Sequence, residues 1–181
     1  AQVVSGGKAV SMTSKAFKDI YNGTVAGIPI PIILLLIVTI IVYLLLHWTK
    51  TGRYIFAVGG NVNAAIASGV SELKTKTFVY TVSGLLAGLA GVIFTAKTGS
   101  AQSNIGVGYE TDAVAACVIG GTSFAGGVAT IPGVLMGIFI IGFIYNGMNL
   151  IGVSSYYQSM TKGAVIIGAV MLDMIMNKKN R

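Results

Sequence analysis

Residues 29–46 read Pro29-Ile30-Pro31-Ile32-Ile33-Leu34-Leu35-Leu36-Ile37-Val38-Thr39-Ile40-Ile41-Val42-Tyr43-Leu44-Leu45-Leu46, 18 positions without a charge, followed by His47-Trp48. A bilayer's hydrocarbon core is about 30 Å thick and a helix rises about 1.5 Å per residue, so ~20 apolar residues suffice to cross it. The β-branched residues between Ile32 and Val42 would favour a strand in water. In lipid a lone strand leaves its backbone donors unpaired, and that cost overrides propensity. The stretch is therefore predicted to be a transmembrane helix. Thr77 to Ala96 is a second such span, 20 residues bracketed by Lys76 and Lys97.

Composition agrees. Of 181 residues 54% are hydrophobic and only 9% charged, against about 25% charged in an ordinary soluble domain. Glycine is high at 25, yet there are three prolines and no G-X-Y period, which excludes collagen and low-complexity disorder. The net charge of +7, from 12 Lys+Arg against 5 Asp+Glu, sits at the flanks of apolar runs, so no nucleic-acid partner is expected. The single Cys117 argues against a disulfide-built scaffold. The chain opens Ala1-Gln2-Val3 without an initiator Met or a leader pattern, and reads as part of a longer polypeptide.

From Ala113 to Thr161 run 49 uncharged residues, too long for one span and divided by Gly120-Gly121 and Gly126-Gly127. Three segments are expected: Ala113–Phe124, short for a crossing and read as a half-helix or re-entrant piece; Ile131–Leu150, a full span opened by Pro132-Gly133; and a last span, Tyr157–Met176. The fold class is thus an all-α membrane protein, a polytopic helical bundle of about four full spans plus one short or re-entrant segment. If the Lys178-Lys179-Asn180-Arg181 tail is cytoplasmic and the short segment counts as a crossing, the loop 49–75 is cytoplasmic and residues 1–28 form an extracytoplasmic loop or surface helix. Seven Lys/Arg then lie inside and five outside, in the sense of the positive-inside rule.

Small residues recur four apart at Gly84 and Gly88, Ala87 and Gly91, Gly133 and Gly137, and Ala164 and Gly168. Close backbone approach at such positions joins helices in lipid, so Gly84, Gly88, Gly91, Gly133 and Gly137 are expected at helix contacts. No H-E-x-x-H, C-x-x-C, G-x-S-x-G or Walker A pattern is present; no enzyme activity, cofactor or metal is expected, and any ATP hydrolysis belongs to another chain. Asp173, near the end of the last span, is read as a structural charge within reach of Lys178 or Lys179. Asn146, Asn149 and Gln158 are candidate pathway-lining residues, with bonds between helices as the other reading.

Within 49–75, Asn61 or Asn63 can cap a short helix through Ala64-Ala65-Ile66-Ala67-Ser68, with Gly69 as its C′ residue. Val58, Val62, Ile66 and Val70 would form one apolar stripe along it. So short a helix is marginal alone and needs a surface to bury against, either its own membrane domain or a cytoplasmic partner.

The run Gly52-Arg53-Tyr54-Ile55-Phe56-Ala57-Val58-Gly59-Gly60-Asn61, then Ala64-Ala65 and Ser68-Gly69-Val70, resembles the cytoplasmic loop of permease subunits of bacterial monosaccharide ABC importers of the ribose and galactoside type. Tyr109-Glu110-Thr111-Asp112-Ala113 through Gly120-Gly121, Gly126-Gly127, Asn146-Gly147 and Lys162-Gly163-Ala164 continue the pattern, which covers nearly everything from Pro29 onward, domain 29–181. The resemblance is to the C-terminal part of the family's permease. It implies a second permease copy, an ATP-binding subunit engaged by the loop, an extracytoplasmic sugar-binding protein, and membrane lipid around the spans. The residues it places at the ATPase contact are Gly60, Asn61, Ala64, Ala65, Ser68 and Gly69. Ala115-Ala116-Cys117-Val118-Ile119-Gly120-Gly121 and Lys162-Gly163-Ala164 resemble the galactose/methyl-galactoside permease, and Ser154-Ser155-Tyr156-Tyr157-Gln158 is more like the ribose permease, which leaves the sugar open. Ile66 departs from the family's basic residue, and Ala129, close to Pro132, from a glycine. A secondary transporter or channel is the principal alternative, but within the spans only Asp173 is available to it as an ion-coupling residue; a membrane scaffold gives no reason for the loop helix.

Overall fold

A computed structural model describes residues 10–11, 14–101 and 106–179. The protein is an all-α membrane protein whose chain forms two compact units. One comprises Ala1–Gly52 with Leu73–Val107, the other Arg53–Glu72 with Gly108–Arg181.

In the first unit a two-residue strand β1 (Val10–Ser11) pairs antiparallel with β4 (Ser100–Ala101), Val10 opposite Ala101. Helix α1 (Lys15–Asn22) puts Phe17, Ile20 and Tyr21 on its half-buried side and its lysines outward. The hairpin β2 (Thr24–Val25) and β3 (Ile28–Pro29) follows, closed by Ala26 and Gly27, both at positive φ as a tight two-residue turn of this hand requires. The described part of 1–28, expected as an extracytoplasmic loop or surface helix, thus holds one short helix and a hairpin. Helix α2 (Ile30–Trp48) carries the quoted apolar stretch, with Pro31 in its first turn, where a missing N–H costs nothing. The strand-forming side chains did not prevail. Helix α5 (Glu72–Thr98) is longer than the 20 residues expected, because Glu72 to Lys76 continue it as a polar first turn.

The second unit holds α3 (Lys50–Gly60, its first three residues in the other unit), α4 (Val62–Ala67), α6 (Tyr109–Ile119), α7 (Ile131–Leu150) and α8 (Ser155–Lys179). The span predicted at Ile131–Leu150 coincides with α7. Helix α6 has 11 residues, about 16 Å at 1.5 Å per residue, half of a bilayer. Among the described residues α2, α5 and α7 are long and apolar enough to cross a membrane. Helix α8 runs for 25 residues, Lys162 among them, and contains the whole of the expected last span Tyr157–Met176. Asp173 lies on α8 outside the residues whose side chains are described.

The core of this unit is Ala115, Ala116 and Ile141, with Ile119, Tyr145, Val165 and Ile166 against it, so α6 sits between α7 and α8. The contact is made by backbone. A Cβ at Gly137 would overlap the Ala116 carbonyl, and one at Gly133 the Gly120 carbonyl. Both glycines lie directly against the backbone at the end of α6. At Gly84, Gly88 and Gly91 a Cβ finds nothing within 4 Å among the described residues. Their spacing matches that of Gly133 and Gly137, but among the described residues no neighbouring backbone lies over them. No residue of the most apolar window of α2 or of α5 is buried, and Leu36, Ile40 and Leu85 are all more than half exposed. Apolar surface of that extent needs lipid or another chain over it.

Candidate functional site

The segment expected as a loop from 49 to 75 is mostly helical. Thr49 ends α2 by donating its hydroxyl to the Leu45 carbonyl at 2.6 Å, and accepts the Gly52 N–H at 3.1 Å, so one side chain closes α2 and opens α3. Gly52 is required at the corner because a Cβ there would overlap the Leu46 carbonyl. Helix α3 ends at Gly60, and a break of one residue, Asn61, separates it from α4.

Asn61, not Asn63, is the cap: its backbone is extended and its Oδ1 accepts the Ala64 N–H at 3.0 Å. At the other end the Val70 N–H reaches the Ala65 carbonyl at 3.0 Å and the Gly69 N–H reaches that of Ile66 at 2.9 Å, a Schellman motif whose C′ residue is Gly69 at φ +82°. Ser68 adds a hydroxyl bond to the Ala64 carbonyl at 2.9 Å. Six residues are thereby held helical by caps at both ends. The expected stripe is broken, however. Val58 belongs to α3, on the far side of the Asn61 break, and Ile66 is 50% exposed. Of the stripe only Val58 is buried; in α4 the buried residue is Ala65, and the turn presents Ile66, Asn63 and Ala64 outward.

A feature that sequence reasoning missed supports this corner. The loop after α6 bends back so that its glycines lie on the end of α3. A Cβ at Gly126 would overlap the Gly59 carbonyl, and one at Gly127 would come within 2.7 Å of Gly60 Cα. Within the loop the Ser123 N–H bonds the Val128 carbonyl at 3.0 Å. Gly60 thus serves as a seat for another loop as well as a helix end.

The candidate pathway residues divide. Gln158 donates its amide to Asn149 Oδ1 at 2.9 Å and to the Val153 carbonyl at 2.9 Å, tying the end of α7 to the start of α8. Asn146 is exposed and stands outside this bridge. One turn from it lies a cluster that sequence reasoning also missed. The Lys162 ammonium sits 2.7 Å from Asp112 Oδ1 and 2.8 Å from Oδ2, and 4.4 Å from the centre of the Tyr145 ring. The Tyr145 hydroxyl donates to Asp112 Oδ1 at 3.0 Å. The available signal was Lys162 itself, a charge inside the predicted last span that calls for a partner.

Residues 2–170 match the family described as branched-chain amino acid transport system / permease component. The chain belongs to that family. It is 50% identical over 157 residues to the ribose import permease protein of Escherichia coli (strain K12), covering 87% of this chain and 48% of the relative. The ribose import permease protein of Bacillus subtilis (strain 168) is 47% identical over 161 residues, 89% of this chain and 50% of the relative. The D-allose transport system permease protein of Escherichia coli is 43% identical over 176 residues, 97% and 54% respectively. The chain spans about half the length of the curated relatives it matches. No solved structure matches it.

Proposed function

We propose that this family member is the membrane-spanning part of a permease subunit in an ATP-driven monosaccharide importer, and that α4 is its contact with a separate ATP-binding subunit. The single observation that carries the coupling role is the doubly capped helix of six residues, hung on Asn61 and Gly69 between two longer helices. A small, rigid helix with Ala64 and an apolar Ile66 outward can enter a groove and pass on rigid-body motion of a partner. Its stiffness comes from the caps, since a helix this short has little of its own. The ATP-binding subunit hydrolyses ATP and this chain is not catalytic.

In this reading the 49–75 segment faces the cytoplasm, residues 1–28 lie outside, and the protein is a multi-pass component of the bacterial cytoplasmic membrane. Two permease copies form the pathway, and an extracytoplasmic binding protein delivers the sugar. Relatives named for ribose and allose support an aldose as the cargo; a galactoside rests on the sequence resemblance alone. The exposed glycine face of α5 suits close packing with further helices of the assembly.

The test is uptake of labelled ribose, allose and galactose by cells lacking their own importers and supplied with the intact protein, its ATP-binding subunit and its binding protein. Uptake that is abolished by a hydrolysis-dead ATP-binding subunit is expected. Uptake that persists without ATP hydrolysis would establish a secondary transporter instead.

A further inference from the structure

The half-length helix α6 is held at two places by two kinds of force. Its last turns lie on α7 through backbone, at Ala116 against Gly137 and Gly120 against Gly133, where no side chain fits. Its first turn is held by charge. Asp112, the fourth residue of α6, receives the Lys162 ammonium from α8 and the Tyr145 hydroxyl from α7, so three helices meet on one carboxylate. The side chains of Lys162 and Asp112 are 23% and 18% exposed. A desolvated charge of either sign is costly alone, and becomes tolerable when paired and hydrogen-bonded. Here the pairing is nearly complete, because both carboxylate oxygens are used and the ammonium also lies over an aromatic face.

The neighbouring bridge lies on the same faces. Asn149 follows Tyr145 by four residues on α7 and Gln158 precedes Lys162 by four on α8, so the two polar ties stack one helical turn apart along a single seam. Nonspecific adhesion would not need so many matched groups, since apolar side chains and small residues already join these helices elsewhere.

We infer that Asp112 and Lys162, with Tyr145, are positioning residues: their ion pair fixes the start of α6 between α7 and α8, so that the three helices act as one rigid body. That this rigidity serves transport rests on the function proposed above.

Four variants of the intact protein, assembled with its ATP-binding subunit, test this by detergent melting and by uptake of labelled ribose. Lys162→Met leaves Asp112 unpaired; it is expected to lower the melting temperature and to cut maximal uptake about ten-fold or more. Lys162→Arg keeps the charge and is expected to retain both. The double variant D112N/K162M removes both charges and is expected to recover melting but not maximal uptake, with the half-saturating sugar concentration unchanged. Asp112→Asn alone is expected to behave as Lys162→Met. Wild-type melting and uptake in Lys162→Met overturn the inference, as does full recovery of uptake in D112N/K162M, which would reduce the pair to charge balance. If the wild type takes up no sugar, the transport reading fails while the melting series still reads the tie.

Discussion

Lys162 and Asp112 lie 50 positions apart in the chain, yet the ammonium of one is 2.7 Å from a carboxylate oxygen of the other. The Tyr145 hydroxyl completes the carboxylate's partners at 3.0 Å. The short helix α6 therefore owes the placement of its first turn to side chains from two later helices.

Removing only the hydroxyl of that tyrosine separates the hydrogen bond from the ring. Tyr145→Phe keeps the face over which Lys162 sits and is expected to cost about 1 kcal/mol, read as a small fall in detergent melting temperature. A loss as large as that of Lys162→Met would place the main contribution on the hydroxyl, against the ion pair as the principal tie.

The glycine pattern makes opposite predictions at positions that look alike in the sequence. A valine at Gly137 must displace the Ala116 backbone and is expected to destabilise the protein by at least about 2 kcal/mol. A Cβ at Gly88 meets nothing within 4 Å among the described residues, so the effect of Gly88→Leu on melting is expected to be the smaller of the two. Equal losses from both would show that α5 is as tightly packed as α7.

At the proposed coupling helix, Asn61→Ala removes the cap of α4, worth about 1 kcal/mol of local helix stability, whereas Asn61→Asp keeps an acceptor for the Ala64 N–H. Gly69→Val forces a β-branched residue to φ +82°, a conformation costing about 1–2 kcal/mol for a residue with a Cβ. Asn61→Ala and Gly69→Val are expected to reduce copurification of the ATP-binding subunit and sugar uptake, and Asn61→Asp to spare them. Unchanged copurification and uptake in Gly69→Val would remove α4 from coupling.

Sidedness can be read chemically. Ile66 is half exposed at the outer surface of α4, so a cysteine there, with Cys117 replaced by Ser, is expected to react with an impermeant maleimide in inside-out vesicles and not in intact cells. Labelling in intact cells would put the helix on the side opposite an ATPase.

The sequence by itself determined the features that are decided within a turn or two of chain. Residues 29–46 specify a helix because lipid offers their backbone no other partner, and α7 begins and ends at the predicted residues. The Gly69 C′ position of α4 and a cap at Asn61 or Asn63 were legible because capping bonds join residues three to five apart, and the structure chose Asn61. Only the tertiary structure decided that Val58 and Ile66 lie on different helices, that Gly133 and Gly137 lie against the end of α6 while no described residue lies over Gly84, Gly88 and Gly91, and that Asp112 meets Lys162. Each of these depends on which surface arrives from a distant part of the chain. Local periodicity fixes the face a residue occupies but not the neighbour brought against it.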